Sequence, residues 1–266
     1  MIQDPSDARV RSIIQLSQKD ARFETGLFLL EGPQGLKELV ESPGLAHEIF
    51  ATELAQDRYD NLLTDLESEG IKVTLVSERV MTKISDTKTP QGIVSVLSHL
   101  DVTLDELLAT EPKLLAILDK ARDPGNAGTV LRAADAAGAD GIIFTKESVD
   151  LYNPKVVRST AGSILHLPSV INQDPVELIA ELQKRGIQVF AAASGGVLIN
   201  QISDEVMAKP TAWIFGNEAH GIAENLLELC DQVVALPIYG SAESLNLATA
   251  ASVCLYASAF QMNSNR

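Results

Sequence analysis

The chain has 266 residues, 45% of them hydrophobic, and a formal net charge of −15 at pH 7. That length and apolar content predict one large domain or two smaller ones, and no run is long and apolar enough to cross a bilayer. The acidic balance argues against broad nonspecific attraction to nucleic acid, while leaving room for a local basic patch.

From the N-terminus, Val10, Ile13, Ile14 and Leu16 recur at helical spacing and predict an amphipathic helix over roughly Asp7–Asp20. Leu27–Gly32 reads as a buried strand, and Pro33 starts a helix through Val40. A strand over Glu48–Thr52, a helix over Asp57–Glu69 ending at Gly70, and an alternating strand over Ile71–Val76 follow. Ser77 caps a short helix to Ile84, and Gly92–Leu97 is another strand. Residues 1–98 thus form a small α/β domain. It carries 10 Lys and Arg against 16 Asp and Glu. Its cations gather in two groups, Arg9/Arg11/Lys19/Arg22 and Arg79/Lys83/Lys88. These are either solvated helix faces or a contact surface for nucleic acid.

Residues 99–112 are acidic and mixed, and read as a linker with one short helix at Leu104–Leu108. Residues 113–266 then alternate strictly. Strands are predicted at Lys113–Leu118, Gly141–Thr145, His166–Val170, Gln188–Ala192, Ala212–Phe215 and Gln232–Leu236. Helices are predicted at Ala127–Ala137, Pro154–Ala161, Pro175–Lys184, Ala223–Cys230 and Ser244–Phe260. Apolar strands between helical patterns mean a mainly parallel sheet covered on both faces. The two cysteines, Cys230 and Cys254, suggest reduced thiols in cytoplasm, and the polar stretch Met1–Lys19 contains nothing like a secretory leader. The histidines at 47, 99, 166 and 220 are scattered and pair with no cysteine, so no metal site is expected.

Open α/β sheets bind ligands at the carboxyl ends of their strands. Polar loops stand at several such ends here. After Leu118 comes Asp119-Lys120-Ala121-Arg122-Asp123-Pro124-Gly125-Asn126, with Asn126 at the expected N-cap of a helix. Arg132 follows among the apolar residues Leu131, Ala133 and Ala134, so it calls for an anion, either a structural carboxylate or a ligand. Gly125-Asn126-Ala127-Gly128 does not match a dinucleotide fingerprint, and neither a P-loop nor a G-x-S-x-G element is present. After Phe215 comes Gly216-Asn217-Glu218-Ala219-His220-Gly221. After Leu236-Pro237 a small-residue loop leads to Ser244-Leu245-Asn246, where Ser and Asn either cap the helix or serve a ligand. Ala193-Ser194-Gly195-Gly196 is a plain turn or a further ligand contact.

Together these segments resemble the SpoU/TrmH family of RNA 2′-O-ribose methyltransferases, of the SPOUT superfamily. The family's motifs are matched in order by Asp123–Gly128 through Arg132, by Phe215–Gly221, and by Leu236-Pro237 through Ser244-Leu245-Asn246. Tyr152–Ser163 is similar to its intermotif segment. The resemblance implies a trefoil-knotted α/β methyltransferase domain, a homodimer with its active site near the interface, and an N-terminal RNA-binding domain. It implies S-adenosylmethionine as methyl donor, held largely by backbone groups, with Ser194, Gly216, Asn217, Gly221, Leu236, Ile238 and Leu245 as the donor-binding residues. It implies a catalytic set of Arg132, Asn126, Glu218, Ser244 and Asn246. A ribose 2′-OH must lose its proton and be held in line with the methyl group. The sulfonium is its own electrophile, so no metal is required. Arg132 is then either the base or an electrostatic stabiliser, and Glu218 either positions RNA or braces its loop. Arg9, Arg11 and Arg22, with Arg158 on the dimer surface, are the candidate RNA contacts. The additional domain favours ribosomal RNA. Transfer RNA is the alternative, as is a non-catalytic RNA-binding module of the same fold, against which the intact Arg132, Glu218 and Asn246 argue. No membrane partner is expected.

Overall fold

The computed structural model describes residues 1–264; the last two residues of the expected second domain, 265–266, lie outside the described residues. The chain divides into two units. One comprises Met1–His99 with Tyr152–Leu165, the other Leu100–Leu151 with the chain from His166 on.

The first unit begins with α1 (Ala8–Gln15), α2 (Lys19–Thr25), β1 (Leu27–Glu31), α3 (Leu36–Glu41), β2 (Ala46–Ala51), α4 (Glu53–Arg58), α5 (Asp60–Ser68), β3 (Lys72–Leu75), α6 (Glu78–Ile84) and β4 (Ile93–Ser98). Its sheet has the order β1-β4-β2-β3, and only β2 and β3 run parallel. Val10, Ile13 and Leu16 pack with Phe50, Val80 and Met81 in its core, as the helical spacing implies. Ser77 caps α6 by accepting from the Val80 N–H.

The single helix expected over Asp7–Asp20 is two. The chain turns after Gln15, and Arg22 secures the turn: it is only 2% exposed, and its Nη1 donates to the Leu16 carbonyl at 2.8 Å. Arg22 therefore leaves the candidate RNA contacts, since a guanidinium satisfying buried backbone has no face for phosphate. Arg9 pairs with Glu48 and donates to Thr74, while Arg11 is exposed and its side chain has no hydrogen bond or ion pair among the described residues.

The second unit continues with α7 (Leu104–Ala109), β5 (Leu114–Leu118), α8 (Pro124–Ala136) and β6 (Gly141–Thr145). The expected linker thus contributes a helix, closed by a Thr103/Glu106 capping box and anchored by buried Leu107 and Leu108. The chain then gives α9 (Pro154–Thr160) to the first unit. Tyr152 is buried there, its ring stacked on His99 at 3.9 Å and tilted against Phe28 at 4.8 Å. Arg158 pairs with Asp86 at 2.8 Å within the same unit. A contiguous split into residues 1–98 and 113–266 makes no provision for this inserted segment.

Returning to the second unit, the chain forms β7 (Ser169–Gln173), α10 (Pro175–Lys184), β8 (Gln188–Leu198), α11 (Asp204–Met207), β9 (Thr211–Phe215), α12 (Glu224–Leu227), β10 (Gln232–Ala235) and α13 (Leu247–Met262). The strand order is β10-β8-β9-β5-β6-β7 and every pair is parallel. Strands β5, β6 and β9 are buried along their whole length, as near-continuous apolar runs require. One layer of the core joins Leu115, Ile143, Leu178, Val189 and Ile214. Elsewhere the indole of Trp213, fully buried, donates to the Ser258 hydroxyl at 2.9 Å and so ties β9 to α13. A buried indole N–H needs such a partner.

Removing the Arg22 side chain strips the Leu16 carbonyl of a buried donor, a loss of about 1–3 kcal/mol. Arg22→Ala is therefore expected to lower the denaturant midpoint clearly. Arg11→Ala at the exposed neighbouring position should stay within about 0.5 kcal/mol of the parent. Chemical denaturation of both variants checks this.

Candidate active site

The sheet order sets β9 between β5 and β8, with β10 beyond β8. Parallel pairing sends the loops after β5, β9 and β10 out along one edge. At the first loop Asp123 caps α8, its Oδ1 accepting the Asn126 N–H at 2.7 Å, and Pro124 takes the first helical position. The cap expected at Asn126 thus falls to Asp123. The carboxylate reaches the third helical N–H, which frees the Asn126 amide to point elsewhere.

That amide is the centre of the site. Asn126 Nδ2 donates to Glu218 Oε1 at 3.2 Å, and Asn126 Oδ1 accepts from Asn246 Nδ2 at 2.9 Å. Glu218 also accepts from the backbone N–H groups of Arg122 and Asp123, both at 3.2 Å. Asn246 Oδ1 caps α13 by accepting from Ala248 and Thr249 at 2.9 and 3.4 Å. The amide orientations follow from chemistry. An ionised carboxylate only accepts, so Asn126 must offer it nitrogen, and its oxygen then faces the Asn246 nitrogen. Burial works to raise the Glu218 carboxyl pKa, but the hydrogen bonds together outweigh it and hold the group below the usual 4.5. Asn246 is thus both a helix cap and part of the network. Glu218 braces the first loop, one of the two roles open to it.

The second loop is pinned to itself. Asn217 and Gly221 exchange backbone hydrogen bonds at 3.1 and 2.8 Å. Asn217 Nδ2 donates to the Lys120 carbonyl at 2.8 Å, and its Oδ1 accepts from Ala219 and His220. A Cβ on Gly216 would lie 2.4–2.6 Å from the backbone of Gly221 and Ile222. Glycine is required there by the loop's own return.

Beside the third loop lies a cleft of about 210 Å³, lined by Ala192, Ser194, Leu236, Ile238, Ser244 and Leu245 among others. Strand β8 runs on to Leu198 instead of ending at Ala192. Its pairing with β10 jumps from Ala191 to Val197, so the intervening residues bulge from the ladder. Ser194 therefore sits on a bulge at the cleft wall, not in a turn. A Cβ on Gly196 would meet the Val233 carbonyl oxygen at 2.3 Å, which closes the base of the bulge. Ile238 and Leu245, 39% and 40% exposed, present apolar surface there. Helix α13 starts at Leu247, so Ser244 lies outside it and lines the cleft without capping. Ser194, Leu236, Ile238 and Leu245 are thus brought together. Gly216, Asn217 and Gly221 are not among the cleft's lining residues. Asn217 and Gly221 border another groove, of about 910 Å³, which Glu218 and Asp119 also line; Asp119 was given no role from the sequence. The signal for it was an acid directly after an apolar strand.

Arg132 lies exposed on α8 and has no hydrogen-bond or ion-pair partner among the described residues. Its sequence neighbours do not share its face, because successive helical residues are about 100° apart. Leu131 and Ala134 are buried while Arg132 faces solvent. Among the described residues no group of three or more His, Cys, Asp or Glu is placed to hold a metal ion, and no helix is long and apolar enough to cross a membrane. Both cysteines are free, and burial pushes their thiols up to about 11 at Cys230 and about 12 at Cys254.

Residues 113–256 match the SpoU rRNA Methylase family, and residues 7–95 match the MRM3-like substrate binding domain. Over 96% of its length, and 97% of the relative's, the chain is 35% identical to the 23S rRNA (guanosine(2553)-2′-O)-methyltransferase RlmP of Bacillus subtilis (strain 168). Its structure is similar to that of an AdoMet-bound rRNA methyltransferase from Sinorhizobium meliloti, with a TM-score of 0.84 at 29% identity, covering 97% of this chain and 96% of the other. It is also similar to the SpoU methyltransferase AviRb of Streptomyces viridochromogenes in complex with AdoMet, with a TM-score of 0.82 at 26% identity, covering 98% and 100%.

A carboxyl whose pKa is lowered on folding contributes stability above its unfolded pKa and loses it as pH falls through the folded value. Glu218→Gln is therefore expected to be less stable than the parent at pH 7. The gap should close as pH drops below the usual carboxylate value of 4.5. Denaturation midpoints of both proteins across pH 3–7 (about the range in which carboxyls titrate) check the sign.

Proposed function

The chain belongs to the SpoU rRNA methylase family, and from that premise we propose that it transfers a methyl group from S-adenosylmethionine to a ribose 2′-OH of ribosomal RNA. The observation that carries the reading is the Asn246–Asn126–Glu218 chain of hydrogen bonds, which joins the three motif loops beside an apolar cleft. The cleft's residues fit the donor: Leu236, Ile238 and Leu245 offer apolar faces for an adenine, and the irregular backbone of residues 236–246 offers main-chain groups. Ser194 stands at its wall for a polar end of the molecule. When bound, the donor supplies a methyl group made electrophilic by its sulfonium.

The work left to the protein is positioning and charge. The ribose oxygen must approach in line, bond to the methyl carbon as the carbon–sulfur bond breaks, and give up its proton to solvent water. A guanidinium carries a positive charge, and the freedom of Arg132 from any carboxylate among the described residues leaves that charge for the developing oxyanion and an adjoining phosphate. It acts as an electrostatic stabiliser, not a base. Asn126, held rigid from both ends, fixes the geometry of the hydroxyl's surroundings. Ser244 contributes a hydroxyl at the cleft edge.

The first unit reads RNA in this proposal, as its match to a substrate-binding domain supports. Arg11, with Arg9 and Arg158 more constrained by Glu48 and Asp86, offers phosphate contacts. A homodimer is supported by α13, which exposes Val253, Tyr256 and Phe260 at helical spacing. The trefoil knot and a cytoplasmic location follow in the same reading from the family and from a ribosomal substrate.

Arg132→Ala is expected to lower methyl transfer at least about a hundredfold, the scale of losing a positioned charge-stabilising group. Its affinity for S-adenosylhomocysteine should stay unchanged. Radiolabelled methyl transfer to unmodified ribosomal RNA, with calorimetry on the same preparation, checks both. Near-parent turnover would make Arg132 structural.

Arg11→Ala should weaken RNA binding and reduce the salt slope by about one, the signature of one lost phosphate contact. RNA binding measured against salt concentration is the test, and an unchanged slope removes Arg11 from the interface.

A further inference from the structure

The groove of about 910 Å³ shares Glu218 with the site above and extends away from it past Asp119, which has no role in the methyl-transfer chemistry. It opens at the carboxyl ends of β5 and β6, where Asp119 and Thr145 lie side by side. Asp119 is only 2% exposed, and its Oδ1 accepts the Thr145 hydroxyl at 2.9 Å. Its other oxygen takes no hydrogen bond among the described residues and is not among the sealed, unpartnered buried atoms, and Asp119 lines the groove. A buried carboxylate with spare acceptor capacity at a strand end is costly to keep unless something donates to it.

The remaining walls narrow the ligand. Pro175, Val176, Ala223 and Leu226 make one side apolar, and Val176 is 44% exposed. The cations at the rim are already paired: Lys120 with Glu147 at 2.8 Å, Arg122 with Glu147 at 3.6 Å, and Lys146 with Asp174 at 3.5 Å. Acids outnumber cations in the lining, which disfavours a phosphate, and no group of acids is placed for a metal ion. A flat neutral group with an apolar face and an N–H donor edge suits the groove. Single-stranded RNA is recognised in this way, by stacking unpaired bases on side chains and bonding their edges. An ionised carboxylate accepts two parallel N–H bonds. Among the RNA bases, only guanine presents two neighbouring ring and amino donors, N1–H and N2–H.

We infer that this groove holds a guanine base of the RNA substrate, with the unbonded Asp119 oxygen accepting from N1–H and the Thr145-bonded oxygen using its second lone pair for N2–H. The inference rests on reading the adjoining Glu218–Asn126 site as the ribose site. Burial raises the Asp119 carboxyl pKa in the ligand-free chain, and two donors from a base would favour its ionised form.

The test uses the full chain and guanosine 5′-monophosphate, with the adenosine, cytidine and uridine monophosphates and ribose 5-phosphate as comparators. Binding is followed by ligand-observed NMR, and S-adenosylhomocysteine binding is measured alongside. The parent should prefer the guanine nucleotide. Asp119→Asn turns a donor toward the base edge and should cost that ligand about tenfold or more, leaving the others within about twofold. Equal binding of all five ligands, no saturable binding, or a preserved guanine preference in Asp119→Asn overturns the inference. If Asp119→Asn fails to fold, Val176→Glu on the exposed wall decides: guanine binding should fall there with S-adenosylhomocysteine affinity unchanged, and undiminished guanine binding is fatal. A lost preference with ribosomal RNA methylation intact in the parent removes the groove assignment alone. A guanine preference without methylation removes the methyl-transfer reading alone.

Discussion

The hydrogen bonds running from Asn246 through Asn126 to Glu218 have a single permitted direction, and the arrangement of the second unit depends on it. At one end the acceptor is a carboxylate that cannot donate. At the other, the Asn246 oxygen is committed to the first N–H groups of α13. The Asn126 amide between them cannot flip without breaking both bonds. Three loops distant in sequence are thereby locked in register. The carboxylate's own backbone donors, at Arg122 and Asp123, bind the end of β5 into the same lock.

That lock can form only because α13 begins where it does. The helix is rich in small residues on its buried side, with Ala248, Ala251, Cys254, Ser258 and Ala259 packed inward, so it lies close to the sheet. The Trp213 indole bond to Ser258 fixes its position along β9. Tyr256 adds a bond to the Ala136 carbonyl at the far end of α8. Helices α8 and α13 are thus joined at both ends, by Tyr256 and by Asn246. In this setting Arg132 is left over: among the described residues it has no hydrogen-bond or ion-pair partner.

Much of this was legible in the chain. Apolar runs bounded by turn residues located nearly every strand, and Pro175–Lys184 is a helix from end to end as its pattern implies. The errors have common physical causes. Helical periodicity registers which residues are buried, not whether the axis is continuous. It therefore merged α1 with α2, although a buried arginine side chain takes over where backbone bonding stops. Capping rules rank Asn and Asp about equally, so the choice of Asp123 over Asn126 was not available from residue type. The extension of β8 through Ser-Gly-Gly was hidden because a bulge needs the residues that turn signals also use.

The sequence by itself determined the alternating α/β pattern, the order of the motif loops, the family, and the identity of the polar residues gathered at the strand ends. Those features depend on local spacing and residue chemistry, which a linear string carries. Only the tertiary structure decided how they are employed. It turned Arg22 inward and Arg132 outward, made Gly216 a packing requirement of its own loop, and placed Asn217 as a brace. It sent Tyr152–Leu165 to the first unit and brought a spare acceptor at Asp119 to a groove wall. Each of these depends on which atoms meet across separations of tens of residues, and contacts at that range are fixed by packing of the whole chain.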